Sequence, residues 1–392
     1  MTAKTPQTAL VIGAGPAGLM AAEVLSAAGV RVTVADRMPS VGRKFLMAGK
    51  SGLNLTKDED PAACLAAYGD AAPALRDALA DFGPAQVMAW AEGLGQPLFT
   101  GSTGRVFPVA MKASPLLRAW LARLASRDVR IATRWTWTGW DGAAATFDTP
   151  DGAQAVTADV TILAMGGASW RRLGSDGAWA ARLQGTTPFR PANCGFRVAW
   201  SDHMAPFFGQ PVKATALTAG TSTSRGEWVV TREGIEGGGI YAVSRAMRDG
   251  ATLWIDLLPD LAAERIGQRA AAKGGKASLS QILKSGLRLP PVKIALFHEM
   301  TRRAGIAKTA PLAETLKALP VIHDGPAPLD AAISTAGGLQ FKALSGLMLR
   351  ERAGVFACGE MLDWDAPTGG YLITASLATG RAAALEALSW HP

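Results

Sequence analysis

The sequence predicts an α/β fold: a Rossmann-type dinucleotide-binding domain with an inserted β-rich substrate domain and a small helical cap. Three observations support this fold class. Residues 9–37 read as strand, glycine-rich loop, helix and strand, the pattern from about residue 192 is strand-like, and residues 260–320 change to helical periodicity. A chain of 392 residues is also long enough for two or three domains.

The N-terminal segment has the pattern of a βαβ unit. Residues 9–12 form a short apolar strand, residues 16–28 an Ala-rich helix ended by Gly29, and residues 31–35 a β-branched strand. Between the first strand and the helix, Gly13, Gly15 and Gly18 form G-x-G-x-x-G. These glycines permit a tight turn, a close approach of the backbone to a pyrophosphate, and close packing of helix on strand. The segment therefore predicts a nucleotide site at the helix N-terminus.

Asp36 ends the second strand, where its carboxylate can accept hydrogen bonds from ribose hydroxyls. The adjacent Arg37 is compatible with a 2′-phosphate, and hence with NADP, or with an exposed arginine at a strand end. The fingerprint alone leaves the choice between FAD and NAD open.

The middle of the chain shows two further patterns. Residues 129–142, 143–152 and 153–167 read as three strands of a meander separated by Asp-Gly turns, and strand-like patterns continue over residues 193–252. Residues 260–319 are rich in Ala, Leu, Lys and Arg and read as helical. After Pro320 the strand and turn patterns return, and the chain closes with a helix from about Thr374 to Leu388.

The formal charge of +8 is concentrated in the helical segment. Residues 260–320 hold eleven Lys or Arg against four Asp or Glu, a net charge of +7. A basic segment can favour an anionic substrate, bind nucleic-acid phosphates, or be a solvated surface without a partner. Phe297 is the single aromatic residue in this segment, which counts against base stacking.

Composition excludes several other classes of function. No apolar run approaches the roughly 18 residues of a membrane helix, and the N-terminus lacks the pattern of a secretory signal, so we expect a cytoplasmic protein. Cys64, Cys194 and Cys358 lie far apart, which argues against a disulfide framework, a zinc site or a dithiol centre. We expect no metal site, so redox chemistry requires a bound cofactor.

The loop VGRKFLMAGKSGLNLT, residues 41–56, carries Arg43, Lys44 and Lys50 among small residues. It is similar to the Gly-Arg-Lys loop of the aminoacetone-oxidase-like family of bacterial FAD-binding flavoproteins, which are often labelled generic NAD(P)/FAD-dependent oxidoreductases. That family belongs to the glutathione-reductase-like, two-dinucleotide-fold superfamily. The resemblance continues at residues 103–114, 162–177 and 334–380 and covers essentially the whole chain. It implies that the cofactor is FAD.

The resemblance also implies roles for particular residues. Ala164 to Gly167 resembles a second crossing of the chain beside FAD, and Glu360 resembles an acceptor for cofactor hydroxyls. Trp135 resembles a residue whose backbone meets adenine, although a core aromatic is an equal alternative. Gly370 and Tyr371 resemble the start of a helix that faces the flavin pyrimidine. The predicted cofactor-binding residues are Gly13, Ala14, Gly15, Pro16, Ala17, Gly18, Asp36, Arg37, Arg43, Lys44, Ser51, Trp135, Ala164, Gly166, Gly359, Glu360, Gly370 and Tyr371.

One departure from the family affects the substrate assignment. Where many relatives read Gly-Gly-Gly-Arg-Cys-Asn, this chain reads Gly-Lys-Ser-Gly-Leu-Asn at residues 49–54. The candidates for substrate or flavin contact are Lys50, Asp363 and Asp365, with solvated charges as the alternative. The four histidines are expected to be surface or core residues.

These observations predict an FAD-binding domain at 1–191 and 333–392, a β-rich substrate domain at 192–259 and 321–332, and a basic helical insert at 260–320. We expect an FAD-dependent oxidoreductase that transfers hydride between flavin N5 and a small molecule, with an anionic substrate as one option. Amine oxidation and double-bond reduction both stay open. The alternative is an FAD-containing nucleic-acid-binding or tRNA-modifying protein that uses the basic insert.

No second G-x-G-x-x-G follows a strand, so we expect electrons to come from the substrate or from transiently bound NAD(P)H. The oligomeric state is left open.

Overall fold

The computed structural model describes residues 6–49, 52–274 and 277–391. The chain divides into two compact units. Unit 1 contains the residues up to Arg190 and those from Ser334 onward, and unit 2 contains Pro191–Ile333. The finer division into three parts stays a prediction.

Helices occur along the whole described chain. In chain order, the α-helices are α1 (Pro16–Ala27), α2 (Arg43–Ala48), α3 (Pro61–Ala66), α4 (Ala72–Asp81), α5 (Pro84–Glu92), α6 (Ala113–Ala125), α7 (Gly238–Arg248), α8 (Ala263–Ala271), α9 (Leu279–Gln281), α10 (Pro291–Arg303), α11 (Leu312–Lys317) and α12 (Tyr371–Ser389). A π-helix, Ile282–Gly286, follows α9 directly. Short 3₁₀ turns lie at Gly69–Ala71, Arg171–Leu173, Ala178–Arg182, Asp202–Phe207, Leu329–Ala331, Phe341–Ala343 and Gly359–Met361.

Strands are short and numerous. In chain order they are β1 (Thr8–Ile12), β2 (Arg31–Asp36), β3 (Thr56–Lys57), β4 (Leu98–Thr100), β5 (Arg105–Pro108), β6 (Arg130–Thr133), β7 (Thr136–Asp141), β8 (Ala144–Thr149), β9 (Gly152–Val156), β10 (Val160–Leu163), β11 (Thr186–Ala192), β12 (Phe196–Arg197), β13 (Pro211–Val212), β14 (Ala216–Ala219), β15 (Ser222–Ser224), β16 (Trp228–Val230), β17 (Gly234–Glu236), β18 (Leu253–Asp256), β19 (Leu319–Val321), β20 (Ser334–Leu339), β21 (Leu344–Ser345), β22 (Met348–Leu349) and β23 (Val355–Ala357).

Unit 1 is organised around one sheet with the order β21-β22-β23-β10-β1-β2-β6. The pairs β23/β10, β10/β1, β1/β2 and β2/β6 are all parallel. The strand order reverses at β1, because β2 lies on one side of β1 and the later strand β10 lies on the other. In such sheets, ligands bind outside the carboxyl ends of the strands at this reversal. The topology therefore places a ligand site beyond Ile12, the last residue of β1.

The helices α1 and α12 pack closely on each other beside this sheet. Gly380 of α12 lies against the backbone of α1, since a Cβ on Gly380 would fall 2.2 Å from the Ala17 carbonyl oxygen. The faces in contact are rich in small side chains, and Ala375, Ala378 and Ala383 are buried. Small residues permit the close approach of the two helix backbones, which positions α12 beside the glycine loop that precedes α1.

The expected three-strand meander was wrong in its first and last strands. Residues 130–133 form β6, at the edge of the parallel sheet, and Val160–Leu163 form β10 within it. The meander is instead β7-β8-β9. The chain changes direction at Arg134, which adopts a positive φ of 59°. A non-glycine residue seldom takes this conformation, so the pattern of residue types gave no sign of the break.

Unit 2 contains two four-stranded sheets, β12-β17-β16-β13 and β15-β14-β18-β19. Side chains from all of these strands except β15, and from α7, α8 and α10, share one hydrophobic cluster, which includes Trp228, Ile240, Ile266 and Leu296. The expectation of strand-like structure throughout residues 193–252 was wrong at α7. Its buried Ile240, Val243 and Met247 follow helical spacing, and the glycines before them obscured that pattern.

No helix within the described ranges is long and apolar enough to cross a membrane.

We expect Gly380→Ala to destabilise unit 1 by about 1–3 kcal/mol, because the added methyl group would force α12 away from the α1 backbone. Urea unfolding would measure the change. Gly267→Ala in α8 is the control, since no atom lies within 4 Å of a Cβ built there. That control should be neutral or stabilising by about 0.5–1 kcal/mol, as expected for glycine replacement within a helix. Equal stability of Gly380→Ala and the wild type would contradict the close packing.

Candidate cofactor site

A cavity of about 310 Å³ lies in unit 1 at the carboxyl ends of the parallel strands. Its walls include the residues that directly follow β1, β2 and β10, together with Gly359 and Glu360 after β23. The cavity is therefore at the position that the strand order indicates for a ligand.

The glycine loop between β1 and α1 forms one wall and is held by close backbone contacts. Gly13 has φ of +106°, and a Cβ there would lie 2.3 Å from the Ala164 carbonyl oxygen. A Cβ on Gly18 would lie 1.9 Å from the Gly13 carbonyl oxygen. Gly15 differs, because no protein atom lies within 4 Å of its built Cβ. Gly13 and Gly18 are thus required for packing, whereas Gly15 leaves open space beside the N-terminus of α1.

Asp36, at the end of β2, is bound to the same loop. Its carboxylate accepts hydrogen bonds from the backbone N–H of Ala14, at 2.7 Å, and of Met38, at 2.8 Å. Burial raises the pKa of Asp36, while these two hydrogen bonds oppose the increase. An ionised carboxylate has about four acceptor positions, so two bonds leave capacity for ribose hydroxyls.

Arg37 is paired within the cavity wall. Its guanidinium donates to Asp176, and the backbone N–H of Ala178 donates to the same carboxylate at 3.1 Å. Burial acts to raise the pKa of Asp176, but the hydrogen bonds from Arg37 and Ala178 and the positive charge of Arg37 together lower it. Asp176 offsets the positive charge of Arg37, which a 2′-phosphate would need. The arrangement therefore favours a ribose without that phosphate.

Lys44 and Glu360 also line the cavity and form an ion pair. The Lys44 Nζ lies 2.6 Å from Glu360 Oε2 and donates to Ser169 Oγ at 2.9 Å. The second Glu360 oxygen accepts the Thr335 N–H at 3.2 Å. The Glu360 side chain is 7% exposed and that of Lys44 is 22% exposed. This pair provides one cationic donor and one carboxylate acceptor to a ligand.

Arg43 adds a second cation. Its Nη1 donates to Ser40 Oγ at 3.2 Å, whereas its buried Nε has no hydrogen-bond partner in the described part of the chain. A buried donor without a partner is costly, and an anion beside the guanidinium would reduce that cost.

Together these residues fit an adenine dinucleotide. Gly15 leaves the space that a pyrophosphate needs, the helix N-terminus with Arg43 provides positive charge, and Lys44 provides a further hydrogen-bond donor. Asp36 and Glu360 are acceptors for hydroxyl groups. Within the described ranges, no group of three or more His, Cys, Asp or Glu side chains could hold a metal ion.

Most of the predicted cofactor residues line this cavity. They are Gly13, Ala14, Gly15, Pro16, Ala17, Asp36, Arg37, Arg43, Lys44, Trp135, Ala164, Gly166, Gly359 and Glu360. Gly18, Gly370 and Tyr371 lie outside its lining, and Ser51 and Lys50 fall outside the described residues. The assignment of these residues to FAD stays a prediction.

Neither Asp363 nor Asp365 lines the cavity. Asp363 accepts a hydrogen bond from Thr187 Oγ1 at 2.7 Å, and Thr187 in turn accepts one from Gln340 Nε2 at 2.8 Å. Asp363 is therefore part of a polar chain that connects β11 to the segment before α12. A role of either aspartate in catalysis stays a prediction.

Tyr371, the first residue of α12, binds the end of β3. Its hydroxyl donates to Glu59 Oε1 at 2.5 Å and accepts from Lys57 Nζ at 3.1 Å, and Lys57 also contacts Glu59 at 2.5 Å. Burial, followed by the hydrogen bond to Glu59, raises the pKa of Tyr371 to about 12. The Tyr371 side chain thus fixes the first turn of α12 to β3.

Residues 170–182 form a cavity wall whose side-chain contacts the sequence did not reveal. Asp176, Trp179 and Arg182 line the cavity, and the Trp179 indole N–H donates to the Gly166 carbonyl oxygen at 2.9 Å. The path of this segment includes positive φ angles at Trp170, Gly174 and Gly177. The two glycines were the sole local signal of a tight path.

The family described as HI0933-like protein Rossmann domain matches residues 7–386. Among solved structures, 3-ketosteroid-delta4-(5alpha)-dehydrogenase from Rhodococcus jostii RHA1 is 17% identical, with a TM-score of 0.53 over 98% of this chain and 96% of that chain. The Mycobacterium smegmatis Sdh1 complex in the apo form is 16% identical, with a TM-score of 0.50 over 97% of this chain and 68% of that chain.

These matches confirm the predicted α/β fold class, which is that of FAD-binding flavoproteins. The narrower resemblance to the aminoacetone-oxidase-like members is not established by them.

We expect Lys44→Met to destabilise the protein by about 2 kcal/mol. This is less than the roughly 3–5 kcal/mol for a fully buried pair, because Lys44 is partly exposed. Glu360 would be left without its cation, so Lys44→Met combined with Glu360→Gln should recover much of the loss. Urea unfolding of both single variants and the double variant would measure the coupling. Purely additive losses would contradict the ion pair.

We expect all three tyrosines of the native protein to ionise above pH 10, because burial raises the pKa of Tyr68, Tyr241 and Tyr371. Since the native pKa of Tyr371 lies above the unfolded value of about 10, its contribution to stability is lost as the pH rises from 10 through 12. Tyrosinate absorbance would follow the titration, and Tyr371→Phe should remove the phase near 12. A full tyrosine equivalent titrating near pH 10 would contradict these environments.

Proposed function

The chain belongs to the HI0933-like Rossmann family, and from that membership we propose that it binds FAD in the cavity and uses it to oxidise or reduce a small molecule. Its fold is that of the FAD-dependent oxidoreductases. The observation that carries the proposal is the cavity itself, in which a glycine loop, a strand-end carboxylate and a Lys–Glu pair meet at the carboxyl ends of one parallel sheet.

We assign different residues of the cavity to different parts of FAD. Asp36 binds the adenosine ribose, and the loop at Gly15 with the α1 N-terminus binds the pyrophosphate. Lys44 and Glu360 are the ligands for the phosphate and ribityl part beyond it. The ion pair keeps both side chains oriented before the cofactor binds, so less conformational entropy is lost on binding.

The position of Ser376 supports an assignment of the flavin ring to the N-terminal end of α12. This α12 residue lines the cavity, and Tyr371 begins the same helix five residues earlier. A rise of 1.5 Å per residue puts the helix N-terminus about 7.5 Å further along the axis. We assign the flavin ring to that end, where the N–H groups of the first turn favour negative charge on the ring.

When bound, FAD supplies hydride acceptance or donation at flavin N5. The protein contributes the position of the ring and the field of α12. The substrate is a small molecule, and amine oxidation and reduction of an activated double bond are the two reaction classes to test.

The direction of the reaction is tested by anaerobic titration of the purified protein, with the visible flavin absorbance as the signal. Bleaching by NADH or NADPH would identify a reductase driven by a pyridine nucleotide. Bleaching by an amine alone would identify an oxidase. A flavin that neither class of reductant bleaches, although dithionite does, would contradict both reaction classes.

We expect Gly15→Ala to fold normally but to weaken FAD binding by at least about tenfold. The added methyl group meets no protein atom, and φ at Gly15 is an ordinary −82°, but the methyl group would enter the space assigned to the pyrophosphate. Fluorescence titration with FAD would measure the affinity. Gly238→Ala, whose built Cβ also meets nothing within 4 Å, is the matched control in unit 2. Equal FAD affinity of Gly15→Ala and wild type would overturn the pyrophosphate assignment.

A further inference from the structure

We propose that unit 2 carries a binding surface for the phosphate backbone of a nucleic-acid duplex. The surface consists of five exposed cationic side chains on α8 and on the segment around the π-helix, which we call the basic patch: Arg265, Arg269, Lys273, Lys284 and Arg288. The proposal does not depend on the cofactor or on the reaction.

The cations of the basic patch differ from Arg302, Arg303 and Lys317 of the same helical segment, each of which has an acidic partner. None of its five side chains forms an ion pair within the ranges that the structure describes. The remaining described cations of this segment, apart from Lys308, have assigned contacts: Lys293 with the carbonyl oxygens of Ala214 and Leu257, Arg302 with Glu299, Arg303 with Asp324, and Lys317 with Asp256. Most of the described cations of this segment that form no assigned contact with an acidic side chain therefore lie in the patch.

Helical spacing arranges part of the patch as a row. Arg265 and Arg269 are four residues apart on α8, and Lys273 follows four residues later, just after the helix ends. Four residues correspond to about 6 Å along a helix axis. Each strand of a duplex carries one phosphate for about every 3.4 Å of the duplex axis, so a row of cations about 6 Å apart can face a continuous line of negative charge. A row of charges matches a polyanion better than it matches a single small anion.

The π-helix brings the other two cations to this row. A Cβ built on Gly286, the last π-helical residue, lies 3.2 Å from Lys273 Cγ and 3.5 Å from the Arg269 carbonyl oxygen. Lys284 is within the π-helix, and Arg288 follows two residues after its end. The end of α8 and the π-helix are thus in contact, which places all five exposed cations on two adjoining segments.

Two irregular features lie in the same segment. π-Helices are rare and frequently mark functional sites. Arg288 adopts φ of +57°, which costs conformational energy in a residue with a Cβ. Leu287 and Leu289 on either side are buried, so this conformation leaves Arg288 exposed between two anchoring side chains.

The surroundings of the patch favour contacts with phosphates over contacts with bases or lipid. Phe297, the aromatic residue of the segment, is only 4% exposed and cannot stack on a base. Leu279 is the one large hydrophobic residue in the described part of this segment with marked exposure, which is little apolar area for insertion into a membrane. Recognition by exposed Lys and Arg alone predicts binding that is independent of sequence and strongly dependent on salt.

The test is fluorescence anisotropy of a labelled DNA duplex with the full-length protein at several salt concentrations. Five phosphate contacts give a slope of log K against log salt near about −4.5, so the affinity should fall by about 500-fold between about 50 and 200 mM salt. Arg269→Gln combined with Lys273→Gln should reduce the slope by about 1.8, because two contacts are lost. A duplex of unrelated sequence should bind equally well.

The control variant combines Arg76→Gln with Arg118→Gln, which removes two exposed cations from unit 1 and should leave the slope unchanged. Thermal melting of both variants would verify that they are folded. The proposal is overturned by any of three results: no duplex binding at low salt, an equal loss of slope in the control, or binding of phosphatidylserine vesicles in place of the duplex.

Discussion

The close backbone approach at Gly13 is the contact on which the rest of the site depends. The turn after β1 passes so near the end of β10 that a side chain on Gly13 would overlap the Ala164 carbonyl, and a side chain on Gly18 would overlap the Gly13 carbonyl oxygen even more closely. These contacts direct the N-terminus of α1 toward the carboxyl ends of the sheet. The cavity, its field from the helix dipole and its open space at Gly15 all follow from that geometry.

Charged groups in the cavity are largely neutralised by one another. Arg37 is paired with Asp176 and Lys44 with Glu360, while Asp36 accepts hydrogen bonds from two backbone N–H groups. Such pairing reduces the cost of burying charge and keeps the side chains in fixed orientations. A cofactor that enters this site meets donors and acceptors already in position, which favours tight binding. The basic patch of unit 2 has the opposite character, with exposed cations that lack partners.

Sequence reasoning succeeded where the chemistry is local. The βαβ unit, the glycine loop and Asp36 lie within 29 residues, and each residue type there has a short-range physical cause. It did not reveal contacts between distant segments: Lys44 and Glu360 are 316 positions apart, and Arg37 and Asp176 are 139 apart. It also missed the separation of β6 from β7, because that depends on a positive φ at Arg134, a residue that rarely adopts one. The roles of both aspartates before α12 could not be derived from charge alone, since Asp363 has a polar partner in β11.

The central claim is that the cavity at the carboxyl ends of the sheet holds FAD. The most direct test is to release the bound flavin from the purified protein, identify it by chromatography and measure its ratio to the chain. The account predicts one FAD molecule per chain. The space at Gly15 is assigned to the pyrophosphate and Asp36 to the adenosine ribose, and FMN has neither group. Recovery of FMN, or a colourless protein that takes up no added FAD, would contradict it.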